Sequence, residues 1–155
     1  AFDGTDDVVE IEDSAVLDFT NNFSIAFWFR TDDSGLQRPL SKFALDQGYG
    51  IRLKTNTVRL LVNQMYRVQA ETAYTSRWVH VAAVLDMPEA ILYIDGEEAA
   101  RNTNYNLPVP AGPSLYLGGR SGGGGMTDLF HGKLSDLRLY NRALSAEEVS
   151  VLYNR

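Results

Sequence analysis

The chain has 155 residues, of which 45% are hydrophobic and 11% aromatic. That is enough apolar material for one domain to bury roughly two-thirds of its unfolded surface without covalent staples. Cysteine is absent, which excludes thiol nucleophiles, disulfide frameworks and thiolate metal sites together. A formal net charge of −6 argues against a nucleic-acid partner, and no apolar run approaches the length of a membrane span.

The first eighteen residues hold seven acids (Asp3, Asp6, Asp7, Glu10, Glu12, Asp13, Asp18) and no base. The turn Asp3-Gly4-Thr5-Asp6-Asp7 gathers carboxylate and carbonyl oxygens into five residues, with Gly4 allowing a tight backbone. Such hard oxygen donors are what calcium prefers, and carboxylates this crowded repel one another unless a cation sits among them. A solvated acidic loop beside an edge strand is the alternative.

Short alternating runs separated by turn residues then follow over residues 8–11, 23–30, 39–43, 49–54, 57–63, 67–72, 78–86, 90–94, 97–101, 114–118 and 129–141. This is the pattern of an antiparallel two-layer sandwich. Trp28 and Trp78 lie inside such runs and read as core residues. His80 reads as a half-buried strand residue. Asp95-Gly96 sits between two apolar runs as a two-residue hairpin turn.

Residues 30–77 contain eight of the fourteen bases. Within this stretch Ile51, Leu53, Val58, Leu60, Val62 and Val68 alternate toward the core, while Arg52, Lys54, Arg59, Asn63, Arg67 and Gln69 point away. A two-residue turn at Thr55-Asn56 sets Arg52 opposite Arg59. A three-residue loop at Gln64-Met65-Tyr66 sets Asn63 beside Arg67 and Glu71 opposite Arg59. Two readings follow. Glu71 neutralises the arginines internally, or the face, with Arg38 and Lys42 at its margin, grips an acidic or sulfated polysaccharide through arginine forks.

Farther on, Arg120-Ser-Gly-Gly-Gly-Gly-Met-Thr-Asp128 reads as a polar hairpin loop without phosphate-cradling spacing. Arg120 and the tyrosines near strand ends and loops (Tyr49, Tyr66, Tyr74, Tyr105) make a second candidate sugar surface. The run at Leu134, Leu137, Leu139 and Tyr140 is interrupted near Ser135-Asp136, which predicts a bulge. Ser145 and Glu148 form a capping box, and Leu144 and Val149 have the spacing of a hydrophobic staple. Val149, Leu152 and Tyr153 then supply the docking face of one short helix.

Six segments in order carry a resemblance: Phe2-Asp-Gly-Thr-Asp-Asp, Phe23-Ser-Ile-Ala-Phe-Trp-Phe29, Trp78-Val-His-Val-Ala82, Leu92-Tyr-Ile-Asp-Gly96, Leu115-Tyr-Leu-Gly-Gly119 and Gly132 through Tyr153. Together they resemble the laminin G-like branch of the concanavalin A-like jelly rolls. The resemblance implies an all-β, antiparallel two-sheet jelly-roll sandwich with one short C-terminal helix, spanning residues 1–155 as a single module. Similarity to these and the pentraxin-like families also implies a structural calcium ion in many members. On this chain Asp3, Gly4 and Asp6 are its candidate ligands. Asp136 joins them if the first and last strands lie side by side, unless Lys133 and Arg138 neutralise it.

Related jelly rolls include glycoside hydrolases with paired carboxylates on one strand. Glu10 and Glu12 share a face about 7 Å apart along their strand. They lie near an edge, however, and the Glu-x-Asp-x-x-Glu arrangement of those enzymes is missing. His80 and His131 stand apart with no nucleophile elbow, so neither a triad nor a zinc site is supported. The expected function is a monomeric, non-catalytic carbohydrate-binding module, cut from a secreted bacterial polysaccharide-active protein. Its expected ligand residues are Arg38, Lys42, Tyr49, Arg52, Arg59, Asn63, Tyr66, Arg67 and Arg120. A laminin G-like adhesion, protein-interaction or spacer module is the alternative.

Overall fold

Period-two alternation closes the chain into two six-stranded antiparallel sheets in the computed structural model, which describes residues 1–44, 47–63, 65–104 and 113–155, the side chains of Ala44 and Tyr66 excepted. In spatial order the first sheet holds β1 (Phe2–Asp3), β14 (His131–Tyr140), β3 (Asn22–Arg30), β8 (Trp78–Asp86), β9 (Glu89–Ile94) and β10 (Glu97–Asn102). The second holds β2 (Val9–Ile11), β11 (Leu115–Leu117), β4 (Gln37–Ala44), β5 (Gln47–Lys54), β6 (Thr57–Val62) and β7 (Met65–Glu71). A small hairpin of β12 (Arg120–Gly122) and β13 (Gly125–Thr127) and a helix, α1 (Ala146–Tyr153), complete the jelly-roll sandwich. Late strands thus insert among early ones in both sheets, which ties the chain's beginning to its end.

The core lies between the layers. Phe23, Ile25, Phe27 and Phe29 on β3 meet Tyr49, Ile51 and Leu53 on β5 and Val58, Leu60 and Val62 on β6, all fully buried. Each such side chain contributes on the order of 1.5–3 kcal/mol through burial. Two turns set this register as expected. Thr55 and Asn56 have φ of 48° and 58°, and Asp95 and Gly96 have 52° and 83°, the paired positive values of type I′ hairpins.

Helix α1 covers the outer face of the first sheet. Ala26 and Ala82 leave room there, so Val149, Leu152 and the preceding Leu144 settle among Val84, Ile91 and Tyr93. Both halves of the capping box form, with Ser145 Oγ accepting from the Glu148 amide. Ser24 fixes the chain's approach to the helix, donating to the Arg142 carbonyl and accepting from the Leu144 amide, each at 2.9 Å.

Two expectations need correction. The pair that joins the chain's ends is not the run at residues 8–11 but Phe2–Asp3 against Gly132 and His131. The run near residues 8–11 instead pairs with β11 in the other sheet, because two short edge segments, not one, precede β3. Trp78 is 39% exposed rather than core, since it starts β8 on the outer face, where β9 does not reach it. The expected bulge is present: register shifts between Ser135 and Arg138, and Asp136 takes a φ of 50°.

Candidate functional site

Pairing of β5 with β6 puts Arg52 directly opposite Arg59, and pairing of β6 with β7 puts Arg59 opposite Gln69. Arg59 Nε donates to Gln69 Oε1 at 3.1 Å. Glu71, the acid expected across from Arg59, faces Thr57 instead. The hairpin closes with Val62 opposite Met65 rather than Asn63 beside Arg67, and the bulge beside Leu60 recovers only one of the three positions of offset.

Arg38 joins this outer face through another irregularity. Three residues of β4 from Gln37 to Leu40 span two of β5, so the face reverses along the strand. Gln37 and Leu40 stay buried inside while Arg38 turns outward over the ring of Phe43, at 5.3 Å. Gly48 and Gly50 lie on the same outer face, and Phe43 lies so close over Gly50 that a side chain there would meet it at 2.9 Å. Asp128, from the loop after β13, clamps Arg38: its carbonyl accepts from the Arg38 amide at 2.8 Å and its Oδ2 from Nε at 2.9 Å. Burial lowers the pKa of Arg38, the positive Arg120 and Arg52 lower it further, and Asp128 opposes them. Arg38 therefore lies on the same outer side as Arg52 and Arg59, with Arg120 nearby, although its own side chain is only 4% exposed.

The same bulge sends Lys42 the other way, into the interior, where it belongs to no sugar face. Its side chain is 1% exposed, and Nζ meets Asp13 Oδ1 and the Pro113 carbonyl, each at 2.6 Å. Asp18 Oδ1 adds an ion pair at 3.1 Å without an aligned hydrogen bond. A buried ammonium needs such compensation. Its hydrogen bond holds the Asp13 carboxyl below the usual range.

Tyr49 is likewise a core residue: its hydroxyl donates to the Leu17 carbonyl at 3.0 Å, and burial raises its pKa. Tyr74 is buried edge-on against Phe29. Both sit inside because they fall on inward positions of their segments, so neither offers a sugar platform. Tyr105 and the side chain of Tyr66 lie outside the described residues. Asn63 holds a turn, with φ of 54° and Oδ1 accepting from the Gly48 amide. Arg67 lies at the hairpin end, where Nε donates to the Val62 carbonyl and its own carbonyl accepts from Asn102.

The acidic turn brings Asp3, Asp6 and Asp7 together, with one carboxylate oxygen of each within 4.8 Å of the others. Asp3 Oδ1 accepts from the amides of Thr5 and Asp6, and Asp7 Oδ2 from the amide of Asp3. The Thr5 bond is the main reason the Asp3 pKa is lowered. Gly4, at φ of 78°, passes so close to His131 that a Cβ would approach its side chain to 2.9 Å. This all-oxygen donor set fits a hard cation such as calcium. Asp136 is not part of it. Asp3 pairs with His131, five positions away along β14 and so about 16 Å distant, and Asp136 binds Arg138 at 2.8 Å. Asp7, already present in the quoted turn, takes its place in the cluster.

Comparison with solved structures shows the same fold over nearly the whole chain. The receptor-binding domain of botulinum neurotoxin mosaic serotype C/D superposes with a TM-score of 0.78 at 15% identity, covering 99% of this chain and 41% of that one. The binding domain of Paraclostridial Mosquitocidal Protein 1 gives 0.77 at 17%, covering 99% and 42%. The ligand-binding domain of botulinum neurotoxin serotype D, solved in complex with N-acetylneuraminic acid, gives 0.74 at 16%, covering 96% and 40%. The chain thus spans less than half of each. No curated protein matches the sequence. The family model described as the concanavalin A-like lectin/glucanases superfamily matches residues 3–150, and the chain belongs to that superfamily.

Proposed function

We propose that this domain is a non-catalytic carbohydrate-binding module whose ligand is an anionic polysaccharide held on the outer face of the second sheet. The observation that carries this reading is the direct opposition of Arg52 and Arg59, flanked by Arg38 and Arg120. Like charges facing each other on adjacent strands cost stability, and a bound carboxylate or sulfate offsets that cost. Membership of a lectin and glucanase superfamily supports a sugar ligand, as does a fold neighbour solved with N-acetylneuraminic acid. Hydrolysis has little support. Glu10 accepts from the Tyr116 hydroxyl at 2.9 Å, and it and Glu12 lie exposed on and just past the edge strand β2 rather than across a cleft.

In this reading the module works outside the cell as a monomeric part of a bacterial polysaccharide-active protein. It raises the effective concentration of an attached catalytic domain at its substrate. A structural calcium ion on Asp3, Asp6 and Asp7 would neutralise the crowded turn beside β14. Affinity electrophoresis through gels containing acidic, sulfated or neutral polysaccharides tests the main proposal. Retardation by an anionic polymer is expected. Migration unchanged in all of them would instead favour the adhesion or protein-interaction reading.

A further inference from the structure

The opposite face of the sandwich carries a second basic surface, with an aromatic side chain in it. On the outer side of the first sheet, Lys133 on β14 pairs with Arg30 on β3, and Arg30 pairs with Trp78 on β8. The three stand in one cross-strand row, so Lys133 and Trp78 are about 10 Å apart. All three are exposed, which is unusual for an indole. Among the described residues neither Arg30 nor Lys133 has an ion-pair partner. Asp32 and Asp136 are acids in this region. Asp32 lines a cleft of about 310 Å³ with Arg30, Lys133 and His131, and Asp136 is already taken by Arg138.

The next row inward is Ser135, Trp28 and His80. Trp28 stacks on Tyr153 at 5.5 Å, so the end of α1 walls this shelf on its inner side. Among the described residues, two like charges face each other here with no acid paired to either, next to a flat apolar ring. One ligand class satisfies both features: a sugar whose apolar ring face covers the indole and whose carboxylate meets the cations.

We propose that Trp78, Arg30 and Lys133 form a second binding site, for an oligosaccharide bearing a carboxylate. The site would face away from the arginine surface, since the two lie on outer faces of opposite sheets. A module with both sites would bridge two polymer chains. This inference goes beyond the arginine-face reading and fails independently of it.

The test is tryptophan fluorescence with acrylamide quenching during titration by oligosaccharides of polygalacturonate, alginate and hyaluronan. At least one should protect Trp78 saturably. Trp78→Phe should remove the protected component, and Arg30→Gln with Lys133→Gln should raise the apparent Kd tenfold or more. Arg52→Ala with Arg59→Ala should leave this titration unchanged. Protection by none of the three, equal protection by neutral cello-oligosaccharides, or equal protection by poly-L-glutamate would overturn the site. So would dependence of the signal on Arg52 and Arg59.

Discussion

Lys42 Nζ lies 2.6 Å from Asp13 Oδ1 while its own side chain is 1% exposed and that of Asp13 is 53% exposed. The pair is lopsided: the cation is buried and one anion is largely wet. Removing the cation leaves carboxylates that water can still reach, whereas removing the anions leaves an ammonium in the core. Lys42→Met, which keeps the stem, should therefore lower the urea midpoint less than Asp13→Asn combined with Asp18→Asn. Lys42→Ala loses the packing of its buried stem as well and should cost about 3 kcal/mol. A reversed order would refute the pair's structural role.

On the arginine face, Arg52→Ala with Arg59→Ala should abolish retardation in gels containing an anionic polysaccharide. Thermal stability should stay level or rise slightly, because opposed like charges are removed. Retardation of the native domain should also weaken as salt is added, through screening of exposed charges. Stability loss without loss of binding would count against a ligand role for these arginines.

His80 is 2% exposed, lies 5.2 Å from the ring of Trp28 and 6.0 Å from that of Tyr153, and has a buried Nδ1 without a hydrogen-bond partner. Burial lowers its pKa, against the opposing pull of Asp95 and Asp136. The unfolded chain, with an ordinary imidazole near pH 6.5, therefore binds a proton more readily than the folded one. Its contribution to stability is full above about pH 6.5 and falls as pH drops through the range below. Urea midpoints measured from pH 7.5 to 5 should decline, and His80→Gln should flatten that decline. An identical slope in the variant would show that other groups set it.

Millimolar calcium should raise the thermal midpoint by several degrees over EDTA if the acidic turn holds the ion. Asp3→Asn with Asp6→Asn should erase the difference, while Asp136→Asn should leave it intact. Loss of the effect in the Asp136 variant alone would place the ion elsewhere. No response to calcium in the native domain would remove the ion altogether.

What the sequence by itself determined is everything set by local periodicity. Alternation put Ile51, Leu53, Val58 and Leu60 inside. The Thr55-Asn56 and Asp95-Gly96 turns were legible because few residues accept positive φ. Ser145 and Glu148 announced the helix because a capping box is a contact between near neighbours. Tertiary structure alone decided which charges meet. Arg38 and Lys42 share parity in the sequence, yet the extra residue in β4 sends one outward and the other into the core. Closure of the next hairpin at Val62 and Met65 gives Arg59 a glutamine rather than Glu71, and pairing offset keeps Asp136 from Asp3. Strand pairing has a period of two, so one inserted residue reverses a face, and its position depends on a partner strand far away in the chain.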